Sequence, residues 1–228
     1  MCWLKDKWKV VIQKFLKDEI INIIFPQVCG VCGRIDKNSL CPKCEYLLKK
    51  YKDFKIEKVF DKDFENLIYM FHYEGIIRQL ILKYKFKENA YLYKTFVNFL
   101  LKDEKIFQKF QTYDKIISVP ISKKRNKQRG YNQSELIAKE IAKKVNISYD
   151  NNILYKIKDI VEQSKLSKEE RIENIKNVYD IKNKKNLENK KILLLDDIYT
   201  TGSTVQECCR ILKRGKPKKI DVFVIAKD

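Results

Sequence analysis

The sequence predicts an α/β protein, with a mostly parallel sheet flanked by helices and a small zinc-binding unit near the amino terminus. Continuous apolar runs at residues 192–195 and 220–226 are typical of parallel strands that are covered on both faces. Stretches with the apolar spacing of helices separate such runs, which favours alternating strands and helices. Two Cys-x-x-Cys pairs within residues 29–44 predict the metal-binding unit.

Composition limits the classes of protein that this chain can belong to. Its 228 residues suffice for one domain plus a small appendage, and a hydrophobic fraction of 44% excludes global disorder. The formal net charge of +19 fits nucleic-acid binding. However, lysine is spread from Lys5 to Lys227, and the chain is also rich in Ile, Asn and Tyr, as AT-rich coding would produce. Both explanations of the charge therefore stay open.

The amino-terminal 25 residues mix charges with apolar positions, which spoils the core of a signal peptide. Val11, Phe15 and Ile20 recur at near-helical spacing, so we expect an amphipathic helix that packs on the body of the protein. No run approaches the roughly 20 apolar residues that span a bilayer. We expect a cytoplasmic protein without a membrane span.

The seven cysteines form an odd set, which argues against a disulfide framework. Four of them form two pairs separated by eight residues: Cys29, Cys32, Cys41 and Cys44. Each pair can present two thiolates from one tight turn, and four thiolates suit a closed tetrahedral Zn²⁺ site. A redox motif would need a single pair at a helix start near a βαβ unit. We predict a structural zinc site, and we interpret Cys208 and Cys209 as core residues of a later helix.

After these pairs, Ile77, Leu80, Ile81 and Tyr84 predict a helix that begins after Gly75. His72, just before it, is the single histidine of the chain, which excludes a His-based nucleophile triad and a His-rich metal site. We interpret His72 as a packed strand residue.

Residues 116–120 read as a second buried strand, and a basic loop over residues 121–133 follows it. The polar and basic residues of this loop are Ser122, Lys123, Lys124, Arg125 and Arg129. Asn132 and Glu135 offer a capping box for the next helix. Because the loop leaves the carboxyl end of a strand, it can face a ligand bound there, although a merely solvated loop remains the alternative.

The strand over residues 192–195 leads directly into Asp196 and Asp197, at the end of the sheet where open α/β folds bind ligands. A hydroxyl-rich turn follows and opens a helix over residues 205–213: Thr200, Thr201, Gly202, Ser203 and Thr204. Gly202 permits close backbone approach, and free N–H groups at a helix start attract an anion. Carboxylates suit ribose hydroxyls or hydrated Mg²⁺. A sugar phosphate would satisfy both halves, whereas an acidic helix cap would explain Asp197 alone.

This element resembles the 5-phosphoribosyl-1-pyrophosphate (PRPP) loop of type I phosphoribosyltransferases. The order of the Cys pairs, the Arg129-Gly-Tyr-Asn-Gln133 segment and this loop resembles the ComF/GntX family, from about residue 20 to the end. The resemblance implies a type I phosphoribosyltransferase fold with an amino-terminal zinc ribbon of four cysteines, divided into residues 1–60 and 61–228. It also implies a role in natural competence, with single-stranded DNA and a helicase or recombination mediator as partners.

In an enzyme of this family, residues 200–204 would hold the 5′-phosphate of PRPP, and the two aspartates would orient the ribose and stabilise its developing positive charge. Lys123 and Arg125, with Mg²⁺, are candidates for neutralising pyrophosphate. The segment of residues 160–178 is long, charged and weakly periodic, which suggests a lid that closes over the ligand and from which Arg171 reaches into the site. The alternative is a non-catalytic module that binds single-stranded DNA and a competence helicase through its zinc ribbon and basic surface.

Overall fold

A six-stranded sheet organises the computed structural model, which describes residues 26–86, 89–158 and 177–228. The chain divides into two compact units, Met1–Leu47 and Leu48–Asp228. The predicted amphipathic helix within residues 1–25, Arg171 and almost all of the predicted lid lie outside the described residues. The predicted domain division after residue 60 stays a prediction.

The sheet is mostly parallel, as predicted. Its strands are β1 (Lys52–Lys58), β2 (Asn66–His72), β3 (Lys115–Ser118), β4 (Ser148–Tyr149), β7 (Lys191–Tyr199) and β8 (Lys219–Lys227). Their spatial order is β1-β2-β8-β7-β3-β4, and only the edge strand β1 runs antiparallel to its neighbour. Strands β5 (Leu154–Lys156) and β6 (Tyr179–Ile181) form a separate antiparallel pair.

Seven α-helices occur in the described part of the chain. They are α1 (Pro42–Tyr51), α2 (Gly75–Tyr84), α3 (Leu92–Leu101), α4 (Glu104–Gln111), α5 (Lys123–Arg129), α6 (Gln133–Val145) and α7 (Ser203–Leu212). Short 3-10 turns cover Lys184–Leu187 and Lys213–Gly215. None of these helices is both long and apolar enough to cross a bilayer.

Helices cover both faces of the central strands, as the continuous apolar runs predict. Residues 192–195 of β7 are fully buried. Leu194 belongs to a cluster with Val205 and Cys208 of α7. On the other face, the Phe223 ring of β8 meets the Phe110 ring of α4 edge-on, with centroids 5.2 Å apart. Burial of Cys208 and Cys209 agrees with their interpretation as core residues.

The predicted basic loop is wrong in part, because residues 123–129 form helix α5. Ser122 caps this helix by accepting a hydrogen bond from the Arg125 N–H at 3.1 Å, and Gly130 ends it with a φ of 81°. No residue of α5 is buried, so it lacks the apolar periodicity by which helices are recognised in a sequence. Only its capping residues, Ser122 and Gly130, indicate this helix in the sequence.

Two further expectations need correction. Strand β7 continues through Asp196 and Asp197 to Tyr199, because residues 198 and 199 still pair with β8. His72 lies in β2 as predicted, but its side chain is exposed, and its Nε2 atom lies 2.8 Å from Asp53 Oδ2. Its position at the last residue of the strand explains the exposure.

The connections of the sheet reverse direction at the carboxyl ends of β3 and β7, where open α/β sheets have a crevice. From β3 the chain returns through α6 to β4 on one side, whereas from β7 it returns through α7 to β8 on the other side. Open α/β sheets bind ligands at such a switch point. The Val119 N–H donates to the Leu195 carbonyl at 2.9 Å, so the segment that follows β3 begins next to Asp196 of β7.

Candidate functional site

Two half-buried carboxylates lie at the switch point. Asp196 Oδ1 accepts hydrogen bonds from Ser134 Oγ at 3.0 Å and from the Asp197 N–H at 2.9 Å. Asp197 Oδ2 lies 3.2 Å from Lys85 Nζ. Burial and the neighbouring charge of Asp197 raise the pKa of Asp196 to about 7, while the Ser134 hydrogen bond and Lys85 oppose this rise. The Asp196 carboxyl therefore takes up a proton near neutral pH.

The beginning of α6 joins β3 to this carboxylate pair. Asn132 Nδ2 donates to the Val119 carbonyl at 3.0 Å, and its Oδ1 caps the helix by accepting from the Ser134 N–H at 3.1 Å. Ser134 in turn reaches Asp196. The predicted cap at Asn132 is present, whereas the Glu135 carboxylate pairs with Lys139 at 2.5 Å. The short segment from Asn132 to Ser134 therefore contacts both the residue that follows β3 and Asp196 of β7.

The hydroxyl-rich turn opens α7 as the sequence predicts. Gly202 occupies the cap position with a φ of 73°, and no side chain caps the helix there. Thr201 Oγ1 lies 2.9 Å from Ser203 Oγ and accepts from the Ser203 N–H at 3.4 Å. Thr200 is exposed, and Ser203 and Thr204 are half-buried. Hydroxyls and helix amides thus meet at one point, which suits an anion.

The aromatic ring of Tyr199 packs against this turn at Gly202. A Cβ added at Gly202 would overlap the side chain of Tyr199, so only glycine fits here. Tyr199 Oη accepts a hydrogen bond from Lys62 Nζ at 2.9 Å. The segment that carries Lys62 is tied to α7, because Gln206 Nε2 donates to Asp63 Oδ2 at 2.8 Å. Lys62 therefore brings a positive charge to the turn.

The basic residues of α5 divide into different roles. The Lys123 and Lys124 side chains are exposed, and Ser122 serves as the helix cap. Burial and the charge of Arg129 lower the pKa of Arg125, and Asp197 opposes this effect, so Arg125 lies within electrostatic range of the carboxylates. Arg129 Nη1 donates to Gln133 Oε1 at 3.0 Å. The structure thus brings Arg125 towards the site, while Arg129 supports the start of α6.

The segment before α6 also holds the end of α2. The single O–H of Tyr131 is shared between the Phe86 carbonyl, 2.8 Å from Oη, and the Tyr84 carbonyl. Tyr84 Oη donates to the Gln133 carbonyl at 2.8 Å.

Sequence reasoning missed Lys62, Lys85 and Ser134 as site residues. No local motif marks them, because their partners are far away in the sequence.

The four paired cysteines come together in the amino-terminal unit. The sulfur atoms of Cys29, Cys32, Cys41 and Cys44 all lie within 4.8 Å of one another, and Cys32 Sγ is 3.9 Å from Cys41 Sγ. Tetrahedral Zn–S bonds of about 2.3 Å would separate sulfurs by about 3.8 Å, which is close to the separation between Cys32 and Cys41. A hydrogen bond of 2.8 Å from the Gly33 N–H to the Cys29 carbonyl closes the first turn. The cluster can hold a metal ion.

Comparisons with known proteins agree with this architecture. Residues 132–228 match the family model described as phosphoribosyl transferase domain. Competence protein F of Haemophilus influenzae is 27% identical over 215 residues, which cover 85% of this chain and 92% of that protein. Competence protein ComFC of Streptococcus pneumoniae is 24% identical over 210 residues, with coverages of 92% and 85%. DNA utilization protein YhgH of Escherichia coli K12 is 25% identical over 207 residues, with coverages of 88% and 90%.

Among solved structures, a purine phosphoribosyltransferase from Pyrococcus horikoshii matches with a TM-score of 0.34 at 13% identity, covering 54% of this chain and 76% of that one. Adenine phosphoribosyltransferase from Thermoanaerobacter pseudethanolicus matches with a TM-score of 0.32 at 14% identity, covering 57% and 84%. The matched domain and the parallel sheet with its turn at Gly202 give a type I phosphoribosyltransferase fold.

Proposed function

Because this chain is a ComF-like protein of the phosphoribosyltransferase family, we propose that the crevice between β3 and β7 binds PRPP or a related sugar phosphate with Mg²⁺. The observation that carries this proposal is the order of groups along β7. Asp196 and Asp197 lie in the last part of β7, which ends at Tyr199, and the turn centred on Gly202 then opens α7. Carboxylates for ribose hydroxyls and helix amides for phosphate therefore stand a few residues apart.

Each part of the ligand has chemically matched residues. The N–H groups and hydroxyls of residues 200–204 hold the 5′-phosphate, because backbone N–H groups at the start of a helix bind anions. Asp196 and Asp197 accept hydrogen bonds from the ribose hydroxyls. Arg125 and the exposed Lys123 and Lys124 lie beyond β3 and offer positive charge to the diphosphate. We also propose that Arg171 contacts the ligand from its own segment.

The two adjacent carboxylates fit Mg²⁺, because they supply the oxygen ligands that this ion prefers. Mg²⁺ would neutralise charge on the diphosphate. The negative charge of the aspartates would stabilise the positive charge that develops on the ribose as the diphosphate leaves. We propose that the protein is a phosphoribosyltransferase that transfers the sugar phosphate to an acceptor nucleophile.

We propose that the cluster of four cysteines binds Zn²⁺. Four thiolates complete a tetrahedral shell and leave no position for water, so the ion would be structural. The sulfur separations given above support this assignment. The remaining free cysteines in the described chain, Cys208 and Cys209, are buried away from any such cluster.

The names of the relatives suggest the biological setting. They are called competence proteins and DNA utilization proteins, and we propose that this chain acts in natural competence, the uptake of DNA for transformation. We propose that it acts in the cytoplasm and contacts single-stranded DNA and a competence helicase or recombination mediator. The net charge of +19 and the exposed lysines of α5 support a contact with nucleic acid.

A second candidate function is a binding module without transfer activity. It is favoured by the ion pair between Lys85 and Asp197, which already neutralises one carboxylate and so lessens its repulsion of a phosphate backbone. In this case the zinc unit and the basic surface would carry the function. Binding of PRPP separates the two candidates.

Isothermal titration calorimetry with PRPP and Mg²⁺ tests the proposed function. The wild-type protein should bind, and the double variant Asp196→Asn/Asp197→Asn should lose Mg²⁺-dependent binding. Both side chains lie at the end of a strand and only partly in the core, so the variant should keep its circular dichroism spectrum. Equal affinity in the two proteins would contradict the assignment of the carboxylates. Absence of binding by the wild type would favour the binding module.

A further inference from the structure

Lys85 lies at the carboxylate pair, although the sequence analysis does not predict it as a site residue. It follows the last residue of α2, and its backbone N–H bonds to the carbonyls of Ile81 and Leu82 at 3.2 and 3.0 Å. Its Nζ atom lies 3.2 Å from Asp197 Oδ2, with side-chain exposures of 25% and 16%. Because both side chains are partly buried, this ion pair is less screened than a fully exposed surface pair.

A hydrogen-bonded clamp holds the backbone on both sides of Lys85. The Tyr131 hydroxyl is shared between the carbonyls of Tyr84 and Phe86, the two residues on either side of Lys85. The Tyr84 carbonyl at the end of α2 lacks a partner inside the helix, so this hydroxyl satisfies a group that would otherwise need water. The Phe86 carbonyl also accepts a hydrogen bond from the Asn89 N–H at 3.0 Å. The clamp belongs to the same segment that supplies Ser134 to Asp196. One stretch of chain thus fixes Lys85 and the carboxylates together.

The chemistry of an ammonium group allows it to do more than neutralise Asp197. It has three N–H donors and no acceptor, so one donor on Asp197 leaves others for a second anion. In the proposed complex the carboxylates hold hydroxyls of the ribose ring, and the diphosphate leaves from the adjoining anomeric carbon. A cation hydrogen-bonded to Asp197 therefore stands beside the expected position of the diphosphate.

Resting on the function proposed above, we propose that Lys85 is a ligand-contacting residue that bridges Asp197 and the diphosphate of the bound sugar phosphate. Tyr131 is its positioning residue and acts by holding the two carbonyls that flank it. The site then has positive charge on both sides of the diphosphate, from Lys85 at the end of α2 and from Arg125 in α5. Both elements are held by the residues between Arg129 and Ser134.

Two ligands that differ only at the anomeric carbon test this proposal. The affinities of PRPP and of ribose 5-phosphate are measured by calorimetry, with Mg²⁺, for the wild type and for Lys85→Met. Loss of a hydrogen bond to a charged group should weaken PRPP binding by about tenfold to a hundredfold. Ribose 5-phosphate, which lacks the diphosphate, should bind within about twofold of its wild-type affinity. Lys83→Met, in the last turn of the same helix, matches the change in charge and should leave both affinities unchanged.

Tyr131→Phe tests the positioning role, because it removes only the hydroxyl that holds the two carbonyls. We expect the preference for PRPP over ribose 5-phosphate to fall in the same direction as in Lys85→Met, by a smaller factor. A merely structural role would weaken both ligands equally and lower the melting temperature. That result would remove Tyr131 from the proposal.

The outcomes separate this proposal from the function on which it rests. A wild-type protein that binds neither ligand overturns the proposed function and this proposal with it. A wild type that binds both, with a Lys85→Met variant that keeps its PRPP affinity or loses both ligands equally, overturns only the role of Lys85. A selective loss of PRPP supports it.

Discussion

Asp196 combines burial with a neighbouring like charge, and its protonation should therefore govern part of the pH dependence of stability. Its folded pKa of about 7 lies above the ordinary value of 3.8, so the native state binds more protons than the unfolded state between these values. The free energy of unfolding should fall as pH rises through this window. Urea unfolding of the ligand-free protein between pH 4.5 and 7.5 measures it, and Asp196→Asn should flatten the fall. An identical slope in both proteins would contradict the raised pKa.

Gly202 provides a second residue-level prediction. Gly202→Ala should reduce PRPP affinity by more than tenfold, because an alanine is strained at a φ of 73° and its methyl group meets Tyr199. Gly75→Ala is a matched control, since Gly75 also has a positive φ, of 48°, but an added Cβ meets no atom there. Calorimetry should show binding retained in the control, while thermal unfolding shows a cost of about 1 kcal/mol from backbone strain. Equal binding losses would remove the close approach at Gly202 from the explanation.

Residue by residue, the sequence predicts those parts of the site that are contiguous. The aspartates and the hydroxyl-rich turn stand together in one stretch, so their order alone indicates a sugar phosphate. Ser134 reaches Asp196 across 62 residues of sequence, and Lys62 reaches Tyr199 across 137. Such contacts depend on how strands pair, and no local pattern encodes them.

Among the elements, the cysteine cluster has the sharpest expected outcome. Purified protein should contain about one zinc per chain, and Cys29→Ser should reduce this content, because serine offers no thiolate. Cys208→Ala is a suitable control, since Cys208 is buried in α7 and its loss should leave the zinc content unchanged. Elemental analysis gives the answer. Full zinc content in Cys29→Ser would contradict the ligand set.

Helix α5 is the element to test for contact with DNA. Lys123→Gln/Lys124→Gln should weaken binding of single-stranded DNA and should reduce the salt dependence of the affinity by about 0.7 per lost phosphate contact. Lys184→Gln/Lys185→Gln removes the same charge from exposed lysines in the turn Lys184–Leu187, which precedes the opposite end of β7. Fluorescence anisotropy at several salt concentrations compares the two variants. Equal weakening in both would assign DNA binding to net charge, and unchanged binding in the α5 variant would place the contact elsewhere.

The elements also show why their prediction succeeds or fails. Strands β7 and β8 bury continuous apolar runs, and helix α7 buries apolar residues at helical spacing, so sequence reasoning finds them. Helix α5 has no buried residue, so its sequence predicts a loop. Strand β1 alternates charged and apolar residues and lies at the sheet edge, where no continuous apolar run is required.

For the molecule as a whole, the sequence predicts the class of the sheet but not the order of its strands. Apolar runs indicate parallel strands covered by helices, and the crevice follows from where the chain reverses its direction around β3 and β7. The antiparallel addition of β1 depends on pairing with β2, and its polar sequence does not indicate that partner. The order of the strands in the sheet is therefore determined by pairing between strands that are far apart in the sequence.

The edge strand β1 has a consequence for how separate molecules meet. An outermost strand offers unpaired backbone groups, and these invite strands of other chains to add on and aggregate. Here Lys52, Lys55 and Lys58 punctuate the strand, and none of them is buried. At the opposite edge, β4 is only two residues long and offers little length for pairing. At one edge, strand addition would have to bury charged side chains, and at the other edge the strand is too short to pair. Both features should keep neighbouring copies from stacking into fibrils, so some of the lysines would protect against self-association.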